Sequence, residues 1–166
     1  MANLYLIGMR GVGKSTVGKL LAHELGRSFV DMDEQIALKA GKSISRLVQE
    51  EGWDAFRKLE KEEVQFISSW DNLVVSTGGG VLMFFDNLKQ LKQTGTLILL
   101  TAKLETVVQR LAESENRPSL KGKDYLEELE EVWAERRETY EKAANVIIDT
   151  EDKTPEEIVK SIIPKP

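Results

Sequence analysis

Gly8-Met9-Arg10-Gly11-Val12-Gly13-Lys14-Ser15-Thr16 carries glycines, a lysine and two hydroxyls at the spacing G-x-x-x-x-G-K-S. The apolar stretch Asn3 to Ile7 precedes it and the helical periodicity of Val17 to Leu25 follows. In that strand–loop–helix setting the pattern is a phosphate-binding loop. The glycines permit tight turns and close approach of an anion. Backbone N–H groups across Gly11, Val12 and Gly13, with the following helix N-terminus, form the cradle. Lys14 is expected to reach the β and γ phosphates of a nucleotide, Ser15 to help hold Mg²⁺, and Thr16 to contact the α-phosphate. The alternative, a glycine-rich turn without function, leaves the lysine and the hydroxyls unexplained.

Further along, Asp31 and Asp33 stand two apart at the end of Phe29-Val30-Asp31. Strand alternation points both the same way while the strand persists. One can support Mg²⁺ through water and the other can orient a substrate hydroxyl; a helix cap is the structural alternative for one of them. Arg57 and Glu60, three apart on a predicted helix, can share a face. They are either a surface ion pair or a guanidinium held to clamp a ligand carboxylate. Gly78, Gly79 and Gly80 are costly together at a strand end unless backbone must touch a ligand or turn sharply. Their N–H groups could bind a hydroxyl, a carboxylate or a transferring phosphoryl group.

The segment Asn116 to Lys123 is polar and basic between acidic helices. It is either a solvated loop or a lid, with Arg117 placed to offset transition-state charge and closure excluding water. Arg110, seven residues before it, is either a surface arginine or an adenine-side contact. Arg136 and Tyr140, four apart, share a face; Arg136 is either a purely structural residue or a second anion clamp. His23, the lone histidine, has no cluster around it.

These residues need elements to position them. The 166 residues, 41% hydrophobic and 31% charged, suit one globular domain with its own core. A formal net charge of -5 gives no general attraction to nucleic acid. There are no cysteines, which removes disulfides, thiolate metal sites and a cysteine nucleophile. No apolar run is long enough to span a membrane, and no signal segment is recognisable, so a cytoplasmic protein is expected.

Apolar stretches at 3–7, 28–31, 74–75, 96–100 and 146–149 alternate with helical ones at 14–25, 33–40, 43–50, 53–69, 84–92, 103–113, 124–143 and 155–162. Thr154 and Pro155 start the last helix. That order predicts an α/β three-layer sandwich with a five-stranded parallel sheet and right-handed crossovers. Leu4, Leu6, Ile7, Phe29, Val30, Val74, Val75, Leu97 to Leu99, Val146 and Ile147 are the expected sheet core. Ligands collect beyond the carboxyl ends of such strands. That brings Gly8 to Ser15, Asp31 to Asp33, Thr77 to Gly80 and Thr101 to one rim.

Taken together, the landmarks Gly8 to Thr16, Asp31-Met32-Asp33, Gly52 to Glu60, Thr77 to Gly80, Asn116-Arg117-Pro118 and Arg136 to Tyr140 resemble those of the bacterial shikimate kinases across nearly the whole chain. The resemblance implies a nucleoside monophosphate kinase-like fold. It implies a single kinase domain over 1–166, with a substrate-binding helical region at about 33–61 and a mobile lid at about 112–124. It implies transfer of the γ-phosphate of ATP to the 3-hydroxyl of shikimate with Mg²⁺. Carried over residue by residue, Asp33 binds and orients the shikimate hydroxyls, and Asp31 lies by the Mg²⁺ water shell. Arg57 and Arg136, with backbone of Gly79 and Gly80, hold the carboxylate. Arg117 lies near the transferred phosphate, Arg110 on the adenine side, and Glu60 orients Arg57.

The sequence departs from the family pattern at Val48, Trp53, Ser119, Glu138 and Thr139, with Trp53 offering packing that Val48 does not supply. A kinase for another small polyhydroxy acid such as gluconate, and a nucleotide-dependent regulatory binding protein, are the competing functions. A monomer acting on a small molecule, without nucleic-acid or membrane partners, is expected.

Overall fold

The computed structural model describes residues 1–114 and 122–163. Its strands are β1 (Asn3–Ile7), β2 (Ser28–Asp31), β3 (Leu73–Ser76), β4 (Gly95–Thr101) and β5 (Val146–Asp149). They form one parallel sheet in the order β2-β3-β1-β4-β5. The helices are α1 (Lys14–Leu25), α2 (Met32–Ala40), α3 (Ile44–Glu51), α4 (Trp53–Ser68), α5 (Phe85–Thr94), α6 (Leu104–Ser114), α7 (Gly122–Ala143) and α8 (Pro155–Ile162). The three-layer α/β sandwich read from the sequence is therefore the observed architecture.

Alternation along the strands builds two cores. Tyr5 and Ile7 of β1, Val75 of β3, and Leu97 and Leu99 of β4 face a layer that includes Val64 and Ile67 of α4, Leu91 of α5 and Tyr140 of α7. Leu6, Val74, Ile98 and Leu100 face the opposite way, onto Val17 and Leu21 of α1 and Ile158 and Val159 of α8. A third cluster, Ile36, Leu47 and Phe56, holds α2, α3 and α4 together apart from the sheet. Helix ends follow local chemistry: Thr154 and Glu157 form a capping box with Pro155 at the first turn of α8.

Two expectations are corrected. Val146 and Ile147 are not core: they are 38% and 53% exposed. β5 is an edge strand paired only with β4, and α8, which follows it, packs chiefly on α1. Thr101 ends β4 at the carboxyl edge of the sheet but does not line the main cleft. Its carbonyl accepts from the Thr150 N–H at 2.8 Å and from the Thr150 hydroxyl at 2.9 Å, and the residue lines a small crevice with Met9 and Val12. The helix expected at 84–92 is α5, which begins at Phe85 after a 3₁₀ turn at Val81–Met83.

Gly18, inside α1, shows how closely helix and sheet meet. A β-carbon there would lie 2.5 Å from the Phe29 ring and 3.1 Å from Leu6. Alanine favours a helix interior by about 1 kcal/mol, but overpacking costs about 1–3 kcal/mol. Gly18→Ala is expected to lower stability by about 1–2 kcal/mol in urea unfolding, despite its better helix propensity.

Candidate active site

A cleft of about 680 Å³ opens along the carboxyl ends of β1, β2 and β3. At one end lies the phosphate loop between β1 and α1. Gly8, Gly11 and Gly13 have φ of 141°, 79° and 106°, so the loop needs glycine for its shape. Lys14 is buried, and its ammonium donates to the carbonyls of Gly8 at 2.6 Å and Met9 at 3.0 Å. Burial lowers its pKa to about 8; Asp33 and Asp31 oppose the shift, while Arg136 and Arg10 add to it.

Asp31 has two roles at once. Its Oδ1 caps α2 by accepting from the N–H groups of Asp33 at 3.0 Å and Glu34 at 3.2 Å. Its Oδ2 accepts a short hydrogen bond from the Ser15 hydroxyl. The capping and metal readings of this residue thus concern different oxygens. Among the described residues no group of three or more His, Cys, Asp or Glu gathers as a metal cage. One hydroxyl and one carboxylate do fit Mg²⁺, which takes one or two carboxylates and completes its octahedron with phosphates and water.

Asp33 opens to solvent on the cleft side, with protein on the other. Partial burial, then the neighbouring Asp31, raise its pKa, against the pull of Lys14, Arg10 and Arg57. Facing it is the triple glycine. None of Gly78, Gly79 and Gly80 has a positive φ, so turn geometry does not require them. Space does. A β-carbon on Gly78 would lie 3.0 Å from Glu60 Oε2 and 3.2 Å from Asp33 Oδ1. One on Gly79 would lie 3.2 Å from Arg136 Nη1, and one on Gly80 2.8 Å from Arg57 Nη2. Each glycine thus admits a different candidate side chain.

Arg57 donates to Glu60 Oε1 at 2.8 Å, and Glu60 is 1% exposed on the buried face of α4. Burial raises the Glu60 pKa, opposed by Arg57. Arg57 lines a neighbouring groove with Phe84 and Lys58, its guanidinium against Gly80, whereas Arg136 lines the main cleft. Arg110 lies beside the phosphate loop, donating to the Val12 carbonyl at 3.2 Å and to Thr150 at 3.3 Å. Arg117 and most of the expected lid lie outside the described residues.

Several cleft residues were not singled out from sequence. Arg10 lines the cleft from within the phosphate loop, and Ile44 and Phe56 form an apolar wall. Tyr140 ties α7 to the glycine loop through a short hydrogen bond from its hydroxyl to the Gly79 carbonyl. Its spacing from Arg136 hinted at a shared face but not at this partner. Trp53 does not act as core packing: it is 60% exposed, edge-on to Phe56 with centroids 5.9 Å apart.

The chain matches a family model described as "Shikimate kinase" over residues 10–165. It is 43% identical to a shikimate kinase of Persephonella marina over 163 residues, covering 98% of both chains. Its structure is similar to that of "Shikimate kinase from Acinetobacter baumannii in complex with shikimate", with a TM-score of 0.90, 33% identity, and coverage of 98% of this chain and 90% of that one. A gluconokinase from Sinorhizobium meliloti has a TM-score of 0.60 at 17% identity, covering 96% of this chain and 87% of that one, a likeness of fold alone. With its phosphate loop, parallel sheet and cleft all in agreement, the chain belongs to the shikimate kinase family.

Proposed function

We propose that this protein transfers the γ-phosphoryl group of ATP to the 3-hydroxyl of shikimate, giving shikimate 3-phosphate and ADP. The observation that carries this reading is the shared cleft: Lys14 and Ser15 of the phosphate loop, Asp33, Gly78, Gly79 and Arg136 line one cavity. The donor half is the loop at 8–16, with Arg110 towards the base. The acceptor half is the wall of Asp33, Glu60, Gly78, Gly79 and Arg136, with Arg57 held beside it against Gly80. Two arginines suit a carboxylate, and an aspartate between them and the phosphates suits a hydroxyl. The α2–α4 region is then the acceptor-binding part, and residues 112–124 the lid that carries Arg117.

In the transfer, the acceptor oxygen forms the new bond to phosphorus as the bond to the β–γ bridging oxygen breaks. Asp33 aligns the hydroxyl and takes its proton late, because a sugar-like hydroxyl is too weak an acid to ionise first. Lys14 leaves its backbone carbonyls to pair with the polyphosphate and stabilises the developing charge, with Arg117 from the lid. Ser15 and Asp31 would hold Mg²⁺, which when bound would neutralise charge on the β and γ phosphates.

An acceptor screen with shikimate, gluconate and nucleoside monophosphates tests the reading directly. Robust turnover of shikimate alone is expected; turnover only of another acceptor overturns it. Asp33→Asn is expected to reduce turnover by about 100-fold or more while nucleotide affinity changes little. Its thermal midpoint at neutral pH should hold or rise. The folded state binds the Asp33 proton more tightly than the unfolded one, so above the unfolded pKa the native carboxylate costs stability.

Lys14 gives a second pH signature. A polyphosphate favours its ammonium form and raises a pKa that stands at about 8 in the free protein. Nucleotide affinity should therefore be flat below that pH and fall above it, with proton uptake on binding. Calorimetry in buffers of different ionisation enthalpy measures both. Proton release, or an affinity independent of pH across this range, would contradict the assigned partner.

A further inference from the structure

Arg57 is surrounded by more aromatic surface than an ion pair with Glu60 requires. Its guanidinium carbon lies 5.4 Å from the centroid of Trp53, 5.1 Å from that of Phe56 and 5.1 Å from that of Phe84. All three are within cation–π range. Phe56 is buried in the small α2–α4 core, so its place is explained by packing. Trp53 and Phe84 are 60% and 42% exposed, and core packing does not account for them. They come from separate elements. Trp53 opens α4 directly after Gly52, four residues before Arg57 and so on the same helix face. Phe84 follows the 3₁₀ turn that leaves the triple glycine.

We propose that Trp53 and Phe84 are positioning residues that hold the Arg57 guanidinium for the acceptor carboxylate, deepening the function proposed above and resting on it. The rings attract the cation and shield it from water without taking up its N–H groups. Glu60 takes one N–H, at 2.8 Å, while both terminal nitrogens lie against Gly80, where a β-carbon would stand 2.8 and 3.0 Å away. The ring cage, the carboxylate and the bare backbone together fix an otherwise flexible side chain before ligand arrives. Pre-ordering the arginine removes part of the entropy cost of binding and strengthens its pairing with an anion.

Two readouts separate this claim from the function it rests on. The first needs no substrate: with ¹⁵N-labelled arginine, the Arg57 Nε–H should show a ring-current shift and slow solvent exchange. Both should be lost in the Trp53→Ala, Phe84→Ala double variant. Arg57 signals that match those of solvent-exposed arginines in the wild type, or stay unaltered in the double variant, overturn the proposal whatever the acceptor. The second is kinetic, on the acceptor the wild type turns over. Each single alanine variant should raise acceptor KM about two- to fivefold, the size of an exposed cation–π contact, and the pair about tenfold. The change should fall on acceptor KM, not on nucleotide KM. Trp53→Phe should restore most of the effect and Trp53→Leu should not. Equal rescue by leucine, or an unchanged KM in the double variant, would overturn it, whereas a wild type inactive on shikimate would overturn the function instead.

Discussion

Three consecutive backbone units without β-carbons govern the proposed acceptor half of this molecule. At Gly78, Gly79 and Gly80 the chain leaves β3 and passes within contact distance of Asp33, Glu60, Arg136 and Arg57. These side chains arise from α2, α4 and α7, which pack around the same sheet face. A methyl group on any of the three would enter space already held by a charged group. The Tyr140 hydroxyl on the Gly79 carbonyl then fixes the loop relative to α7 and so to Arg136. Removing side chains here is what lets acids and arginines from distant parts of the chain converge on one small space.

The same convergence sets the electrostatics. Lys14 is buried among carboxylates and arginines whose effects oppose one another, and desolvation prevails. Its ammonium is satisfied by loop carbonyls in the free protein, a local arrangement that polyphosphate can replace. Asp31 divides its two oxygens between a helix cap and the Ser15 hydroxyl, joining helix stability to the phosphate site. Asp33 and Glu60 carry their charge in unfavourable surroundings, which costs stability and is the sort of compromise expected where chemistry is done.

Much of this was legible in the chain because local patterns agree with the global fold. The bounds of β1, β2 and β5 and of α1 and α8 follow directly from short apolar runs, glycine, and the Thr154-Pro155 cap. The parallel pairing and the ligand rim follow from strands that alternate with helices, whereas the order β2-β3-β1-β4-β5 is known only from the structure. The misses have specific causes. Val146 and Ile147 look like core in composition, but an edge strand's burial depends on what later packs over it. The need for three glycines resembles a question of turn conformation in one dimension; only the three-dimensional neighbours reveal that it is one of space. Trp53 reads as packing until its ring is seen over Arg57, and Phe84, far away in sequence, gives no signal of joining it.

The dependence of the acceptor wall on bare backbone is open to one direct measurement. Gly79→Ala leaves every proposed ligand side chain in place and alters only the room beside Arg136. Calorimetric titration of this variant with shikimate and, separately, with nucleotide should show acceptor affinity reduced on the order of tenfold or more, as for a disrupted charge-assisted contact. Nucleotide affinity and thermal stability should be nearly unchanged. Acceptor affinity equal to that of the wild type, in a folded variant, would contradict the claim that these glycines exist to admit the charged side chains.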